Sequence, residues 1–416
     1  MNYRQRFLEI QKFLKPYQKI WQNEIMLMHP DPLNGYRLDW IDELSQFKDK
    51  NDIIKIEKKE VFNYIQNPSL IEYYRQIENL EKLPPMPDYP PLTEERNLWL
   101  YIIPKKQHEI KRLAPHINYL YQQHNIKDIV DIGGGIGLLA QILSNQYQLN
   151  VTSIDMNSQL QTTGDQRNQF NAKNPSRRVR YKNLHVGDDE EFLSILNNES
   201  MPIGLHTCGK LALDLIHAGV KKKVPVMVNL GCCYHTLGES SGTQLLSSFA
   251  RENNAFWMNK FALTLSCRAH RKMNEKDYDL KIKVKYFRYA FHILLHDFYE
   301  IKGMIGLGNS SPKLYNGPFS LYAQEQFERI GIKSQHNQEE LDHFFSKPEL
   351  KVQIEKMLAA GIIRNALGRI MEIYLLLDRA IYLEEQGYEV NVQEFFSEKL
   401  SPRNIGITAT LKGRSV

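Results

Sequence analysis

Read for the spacing of apolar and polar positions, the chain changes character three times. Over the first eighty residues Phe13, Tyr17, Ile20, Trp21 and Ile25 recur at helical spacing, and DELSQF and IEYYRQIENLEKL keep that period, which predicts a helical cap. Pro84, Pro85, Pro87, Pro90 and Pro91 then interrupt any regular element and predict a stiff linker. Beyond it a helix from Thr93 through Leu98, Trp99 and Tyr101 is expected, followed by another over KKQHEIKRLAPHINYLYQQH. The period then shortens. IKDIVDI, VTSID, VRYKNLHVGD, PIGLHTCG and VPVMVNLGCCYHTL read as five buried strands, with helical stretches such as LLAQIL and LALDLIHAG between them. Strand and helix in alternation predict an α/β fold with a parallel, doubly wound sheet.

From about Ser240 to Asn309 the pattern blurs, with a basic run from Cys267 to Lys272 and another in KIKVKYFRY. Three helical stretches follow, and in the last Ile362, Ala366, Ile370, Ile373, Leu377 and Ile381 form an apolar stripe ending at a natural C-cap, Gly387. YEVNVQEFF and RNIGITATL read as two strands joined by SEKLSPRN, an antiparallel pair that closes the sheet at seven strands. The expected organisation is a helical region with the Pro-rich linker over 1–92 and a core with the first five strands over 93–254. A mainly helical insertion over 255–360 then precedes the last helix and closing hairpin over 361–416.

The chemistry concentrates at DIGGGIG, between the first strand and its helix. Alternating glycines at Gly133, Gly135 and Gly137, with Gly134 between them, let backbone approach a ligand at a helix N-terminus, and Asp131 stands where the strand ends. A nicotinamide dinucleotide is disfavoured because Leu138 occupies the place of the third glycine, and no Gly-Lys-Ser/Thr follows to make a phosphate-binding Walker loop. The remaining form, DxGxGxG, looks like the first motif of S-adenosylmethionine-dependent methyltransferases. VTSID ends in Asp155, placed to accept from ribose hydroxyls, with Met156 next to it. The third strand ends near Asp188, where a carboxylate could accept from an adenine amino group. The alternative is a glycine turn in another α/β fold, with Asp155 as a helix N-cap.

Ligands of open α/β sheets lie beyond the carboxyl ends of the strands, so His206 to Gly209 and Cys232 to His235 should converge on the same crevice. Methyl transfer needs an in-line nucleophile and a group to position it and take its proton. His206, Cys208, Cys232, Cys233, Tyr234 and His235 are the candidates, and His206 also borders the cofactor site. The cysteines and His235 can be read as a metal cluster, but adjacent cysteines depart from the usual CxxC spacing, so no metal is expected. A thiolate nucleophile attacking a pyrimidine is a further reading. Asp214 should fix a loop, and Lys221, Lys222 and Lys223 should be a solvated turn.

Composition changes this picture little. The 416 residues are 42% hydrophobic with a formal charge of +5, compatible with an anionic partner without demanding one. No apolar run is long enough to span a bilayer and the N-terminus has no signal core, so a cytoplasmic protein away from membranes is expected. Four cysteines, Cys208, Cys232, Cys233 and Cys267, are too few for a disulfide framework and are expected to be reduced.

GLHTCGKLALDL and LGCCYHTL, with PKKQHE upstream and LLLDRAIYLEEQG and LSPRN near the end, resemble the methyltransferase-like 25 family, which includes proteins with a ribosomal RNA adenine dimethylase-like domain. A more distant resemblance is to the tRNA 2′-O-methyltransferases of acceptor-stem position four, which carry a His-x-Cys-Gly and a Cys-Cys-His-His segment in these places. Here the second string is Cys232, Cys233, Tyr234, His235, with tyrosine replacing the first histidine, and no N-terminal zinc finger is visible. The resemblance implies a class I, Rossmann-like methyltransferase fold with S-adenosylmethionine at Asp131 to Gly137 and Asp155. RNA, either tRNA or rRNA, is the expected acceptor, with Lys105, Lys106 and the basic segments between Arg268 and Arg288 as phosphate contacts. Methylation of a protein or small molecule is the alternative. A third reading is a cofactor-binding scaffold without turnover that meets a protein partner through its helical cap or insertion.

Overall fold

A computed structural model of the chain describes residues 1–47, 50–57, 60, 62–92, 99–100, 102–171, 179–237, 244–268, 275–303 and 305–413. The expected helix over 93–98 and the basic positions at 270–272 lie outside the described residues. Two compact units divide the chain. One comprises Met1–Gln11, Glu81–His270 and Ile370–Val416, the other Lys12–Leu80 and Arg271–Arg369.

The first unit is built on a seven-stranded sheet. Its strands are β1 (Asp128–Ile132), β2 (Val151–Asp155), β3 (Arg180–Asn183), β4 (Ser200–Cys208), β5 (Val226–Cys232), β6 (Tyr388–Glu394) and β7 (Ile405–Leu411). They lie in the order β3-β2-β1-β4-β5-β7-β6. The first five strands are mutually parallel, β7 runs antiparallel to β5, and β6 pairs antiparallel with β7. This is the class I methyltransferase sheet with the closing hairpin that the sequence predicts. β5 is buried along its whole length and β1 along all but its first residue, as a sheet covered on both faces requires. β3 is shorter than expected. It is an edge strand of four largely exposed residues, RYKN, and the chain leaves the sheet at Asn183.

The expected last helix is interrupted. Pro348–Ala366 and Gly368–Glu385 are separate helices that part at Leu367, next to a glycine of poor helix propensity. The predicted stripe understates the burial of Gly368–Glu385, since Glu372, Asp378 and Arg379 are buried beside Ile373, Leu377 and Ile381. Asp378 accepts from the amides of Leu246 (2.7 Å) and Ser247 (3.1 Å) and from the Ser247 hydroxyl (2.7 Å), and Ser247 caps the short helix Ser248–Glu252. Asp378→Ala leaves those buried donors without an acceptor. A loss of about 3 kcal/mol in unfolding free energy is expected, read from the urea midpoint. A change below about 0.5 kcal/mol would show that water replaces the carboxylate.

The second unit is helical throughout its described secondary structure, and it joins segments far apart in sequence. Trp40, Tyr73 and Tyr74 form a buried aromatic cluster with Phe13, the Tyr73 hydroxyl donates to Ile363 O (2.8 Å), and buried Arg364 donates to the carbonyls of Ile20 and Asn23. The basic segment KIKVKYFRY lies on the helix Glu275–Tyr299 and is engaged within this unit. Lys281 pairs with Glu57 (2.7 Å), Lys283 donates to Asn316 Oδ1 (2.6 Å), and Arg288 donates to Gly308 O. Among the described residues no helix is long and apolar enough to cross a membrane.

Candidate active site at the carboxyl edge of the sheet

The glycine loop leaves β1 bent toward the neighbouring strand. The amides of Gly133 and Gly134 both donate to Ile154 O on β2, at 2.9 and 3.1 Å, which draws the loop across the neighbouring strand. Gly134 has no room for a side chain, because a Cβ there would lie 2.3 Å from Ser153 Oγ and 2.8 Å from Asp131 Oδ2. Gly135 is different. Its φ of +60° suits glycine, and a Cβ there would meet nothing within 4 Å, so the bare backbone borders open space. Gly134→Ala should therefore displace the loop and lower thermal stability, by about 1–3 kcal/mol, even with no ligand present. An unchanged melting temperature would contradict this crowding.

Two carboxylates flank the loop. Asp155 at the end of β2 accepts from Gly135 N through Oδ2 (3.0 Å) and from Asn157 N through Oδ1 (2.9 Å). The helix Ser158–Asn171 is capped by Asn157, whose Oδ1 takes the amides of Gln159 and Leu160, so Asp155 is not its N-cap. Met156, beside Asp155, is 76% exposed. Asp131 is buried, and burial pushes its carboxyl up to about 7, with nearby Asp155 adding to the rise and Lys106 opposing it. Asp131, Lys106, Gly133, Gly134, Ile136, Leu138 and Leu205 line a cleft here.

One strand over, β4 carries a bulge between Leu205 and Thr207, and His206 adopts a φ of +68°, rare for a side chain of this size. Its Nε2 lies 2.8 Å from Glu109 Oε1. Glu109, on the helix Pro104–Gln123, is almost wholly buried and also accepts from Ser401 Oγ (2.6 Å), with Lys105 and Lys106 Nζ at 3.6 and 3.7 Å. Burial alone would raise its carboxyl, but the His206 and Ser401 hydrogen bonds and the Lys106 charge outweigh that and hold it at about 2. Sequence reasoning missed Glu109 and Ser401. The strings PKKQHE and LSPRN contain both, but nothing in their spacing ties either to His206.

β4 and β5 end side by side, with Cys208 opposite Cys232. Their sulfurs lie 3.4 Å apart, Cys232 Sγ is 3.7 Å from Cys233 Sγ, and all three sulfurs fall within 4.8 Å of one another. Adjacency in CCYH therefore does not keep the two sulfurs apart, because Cys233 takes a left-handed conformation (φ +53°) as the strand turns. All four cysteines are free thiols. Burial raises the Cys208 and Cys232 thiols above their ordinary value. His235 is exposed on the turn Tyr234–Thr236.

Two sequence candidates do not reach this edge. Tyr234 is fully buried beneath the turn, its hydroxyl donates to Gly231 O (3.2 Å), and Arg379 covers its ring at 5.1 Å, so it has no path to an acceptor. Asp188 lies beyond the early end of β3, with its side chain 95% exposed and 3.4 Å from Lys221, at the far end of the helix Lys210–Lys221 that leads away from Cys208. Asp214, on that helix, pairs with Lys210 (2.5 Å) one turn earlier and so braces the helix itself, where a hold on the loop was expected.

Comparison with known proteins agrees with this architecture. A family model described as a methyltransferase domain matches residues 105–240. The "Probable methyltransferase-like protein 25" of Mus musculus is 25% identical over 232 residues, covering 51% of this chain and 38% of that protein. Its Homo sapiens counterpart is 22% identical over 244 residues, covering 54% and 39%. The chain thus spans about two-fifths of the length of the curated relatives it matches. Among solved structures, that of the plantazolicin methyltransferase BpumL in complex with SAH covers 71% of this chain and 95% of its own, at 12% identity and a TM-score of 0.24, a likeness too loose to add to the assignment. The chain carries a class I methyltransferase domain, and the curated proteins it matches are the methyltransferase-like 25 proteins that its own strings resemble.

Proposed function

We propose that this chain is an S-adenosylmethionine-dependent methyltransferase that acts on RNA. The observation that carries the donor half is the rim itself, where Asp131, Gly133 and Gly134 line one cleft and the next residue, Gly135, held by Asp155, turns bare backbone to open space. A ligand bearing both an ammonium and a sulfonium suits two acidic groups, and ribose hydroxyls suit an aspartate at the end of β2. Bound there, S-adenosylmethionine supplies a methyl group on a positively charged sulfur. Asp155 accepts the ribose hydroxyls, Met156 offers an apolar wall to the base, and Asp131 takes the ammonium. His206, oriented by Glu109 through Nε2, presents Nδ1 to the acceptor's proton, while Cys208 and the CCYH turn shape the acceptor's side.

Support for RNA comes from the family resemblance and the mild positive charge. Lys106 lines the cleft and Lys105 precedes it, although Glu109 already lies within 4 Å of both ammonium groups. Isothermal titration with S-adenosylmethionine tests the donor site, and Asp155→Ala is expected to weaken it at least about twentyfold, the equivalent of one hydrogen bond to a charged group. Equal affinity in the variant would remove Asp155 from the site. Radiolabelled methyl transfer into fractionated cell extract, with and without ribonuclease, tests the acceptor. Label that survives ribonuclease and is lost to protease would overturn the RNA reading in favour of a protein acceptor.

A further inference from the structure

Three thiols at one strand edge are more than the methyl-transfer reading uses. Cys208, Cys232 and Cys233 come from the ends of two neighbouring parallel strands and the turn that follows, so the sheet itself fixes their sulfurs. Sulfurs bound to one tetrahedral zinc at about 2.3 Å lie about 3.8 Å from each other. The distances here, 3.4 Å between Cys208 and Cys232 and 3.7 Å between Cys232 and Cys233, are already close to that separation. They are far longer than a disulfide bond of about 2.05 Å.

The surroundings fit a centre of net negative charge. Arg403, on the loop between β6 and β7, is electrostatically coupled to both Cys208 and Cys232, and its Nη2 is held by Cys267 O (2.5 Å). Its buried Nη1 has no hydrogen-bond partner. A dication bound by three thiolates carries one negative charge overall, which the guanidinium offsets. Cys208 is exposed and Cys232 buried, so the cluster has a closed side and an open one.

We propose that Cys208, Cys232 and Cys233 form a zinc site with three thiolate ligands and a fourth position open to solvent. Soft sulfur ligands select zinc over the hard cations magnesium and calcium. Three Zn–S bonds form, and each thiol gives its proton to the solvent, so binding strengthens as pH rises. No oxidant or reductant takes part. The proposal does not depend on the donor site, because metal content and S-adenosylmethionine affinity are measured separately.

The test uses the full chain, purified under reductant without added chelator. Its zinc is counted by mass spectrometry, and the metal-free protein is titrated with Co2+ and Cd2+. One equivalent of zinc is expected, with the strong visible bands of tetrahedral cobalt and the ultraviolet charge-transfer band of cadmium thiolates. Cys208→Ser changes an exposed residue, so the fold should persist, and it should weaken cadmium binding at least about tenfold. Cys267→Ser, outside the cluster, should leave the stoichiometry unchanged. Circular dichroism checks that each variant is folded. Absence of any zinc together with octahedral cobalt spectra would overturn the proposal. So would metal binding that persists undiminished in a folded Cys208→Ser, Cys233→Ser double variant, or loss of two free thiols to a disulfide in the reduced, metal-free protein.

Discussion

Glu109→Gln is expected to lower kcat for methyl transfer about a hundredfold or more while leaving the affinity for S-adenosylmethionine within about twofold. Glu109 touches neither the proposed donor nor its acceptor. It acts through His206, whose Nε2 it holds at 2.8 Å while Ser401 secures the same carboxylate oxygen. Glutamine keeps the shape but removes the charge that fixes which imidazole nitrogen carries the proton. A purely structural Glu109 would instead lower stability and leave kcat of the folded fraction intact. Only kcat separates the two, and the stability held by the same carboxylate is read on the acid side. The Glu109 carboxyl is held at about 2 against an ordinary 4.5, so its contribution is fully present above 4.5 and is lost as pH falls toward 2. That difference corresponds to roughly 3 kcal/mol. Unfolding free energies between about pH 2 and 6 should rise steeply with pH in the native protein and less so in the variant. A folded Glu109→Gln protein with undiminished kcat would sink the positioning role.

The second large effect concerns Asp131. Burial raises its carboxyl to about 7 from an ordinary 3.8, so the folded protein binds a proton there that the unfolded chain has already lost. The stability this gives is complete at low pH and falls away as pH rises through about 7. An ammonium brought beside Asp131 reverses the preference and draws the proton off. Donor affinity should therefore climb as pH rises from about 5.5 to 8 and then level off. At about pH 6, titrations in buffers of different ionisation enthalpy should reveal close to one proton released per donor bound. Asp131→Asn should flatten that profile and weaken binding about a hundredfold at the higher pH. Affinity that ignores pH across this range would show that the ammonium goes elsewhere.

The sheet was legible because covered strands declare themselves as short apolar runs, and DIGGGIG because a loop drawn under its neighbour needs glycine at Gly134. The hairpin at the end of the chain could be read from alternation in YEVNVQE and ITATL. What could not be read lies in separation along the chain. His206 and Glu109 stand 97 residues apart and Glu109 and Ser401 stand 292 apart, so no local pattern joins them. Asp188 looked right by residue type, but the place of an aspartate depends on where its strand stops, and β3 stops at Asn183. Tyr234 sits in a motif of reactive residues and points inward, because a turn directs neighbouring side chains to opposite sides. Helices such as Leu38–Ser45 and Pro68–Glu81 show an amphipathic pattern, and nothing in such a pattern says which other helix covers it.

Ser401 reaches Glu109 from the loop between the last two strands, and that has a bearing on synthesis. A ribosome extrudes the glycine loop, both rim aspartates and all three clustered thiols long before it adds the segment that completes the carboxylate's hydrogen bonds. Until then the growing polypeptide carries the glycine loop and its aspartates beside a Glu109 carboxylate that lacks one of its hydrogen bonds. Insertions or deletions in the 397–404 loop should therefore silence chemistry at a centre whose buried carboxylate was made 292 residues earlier.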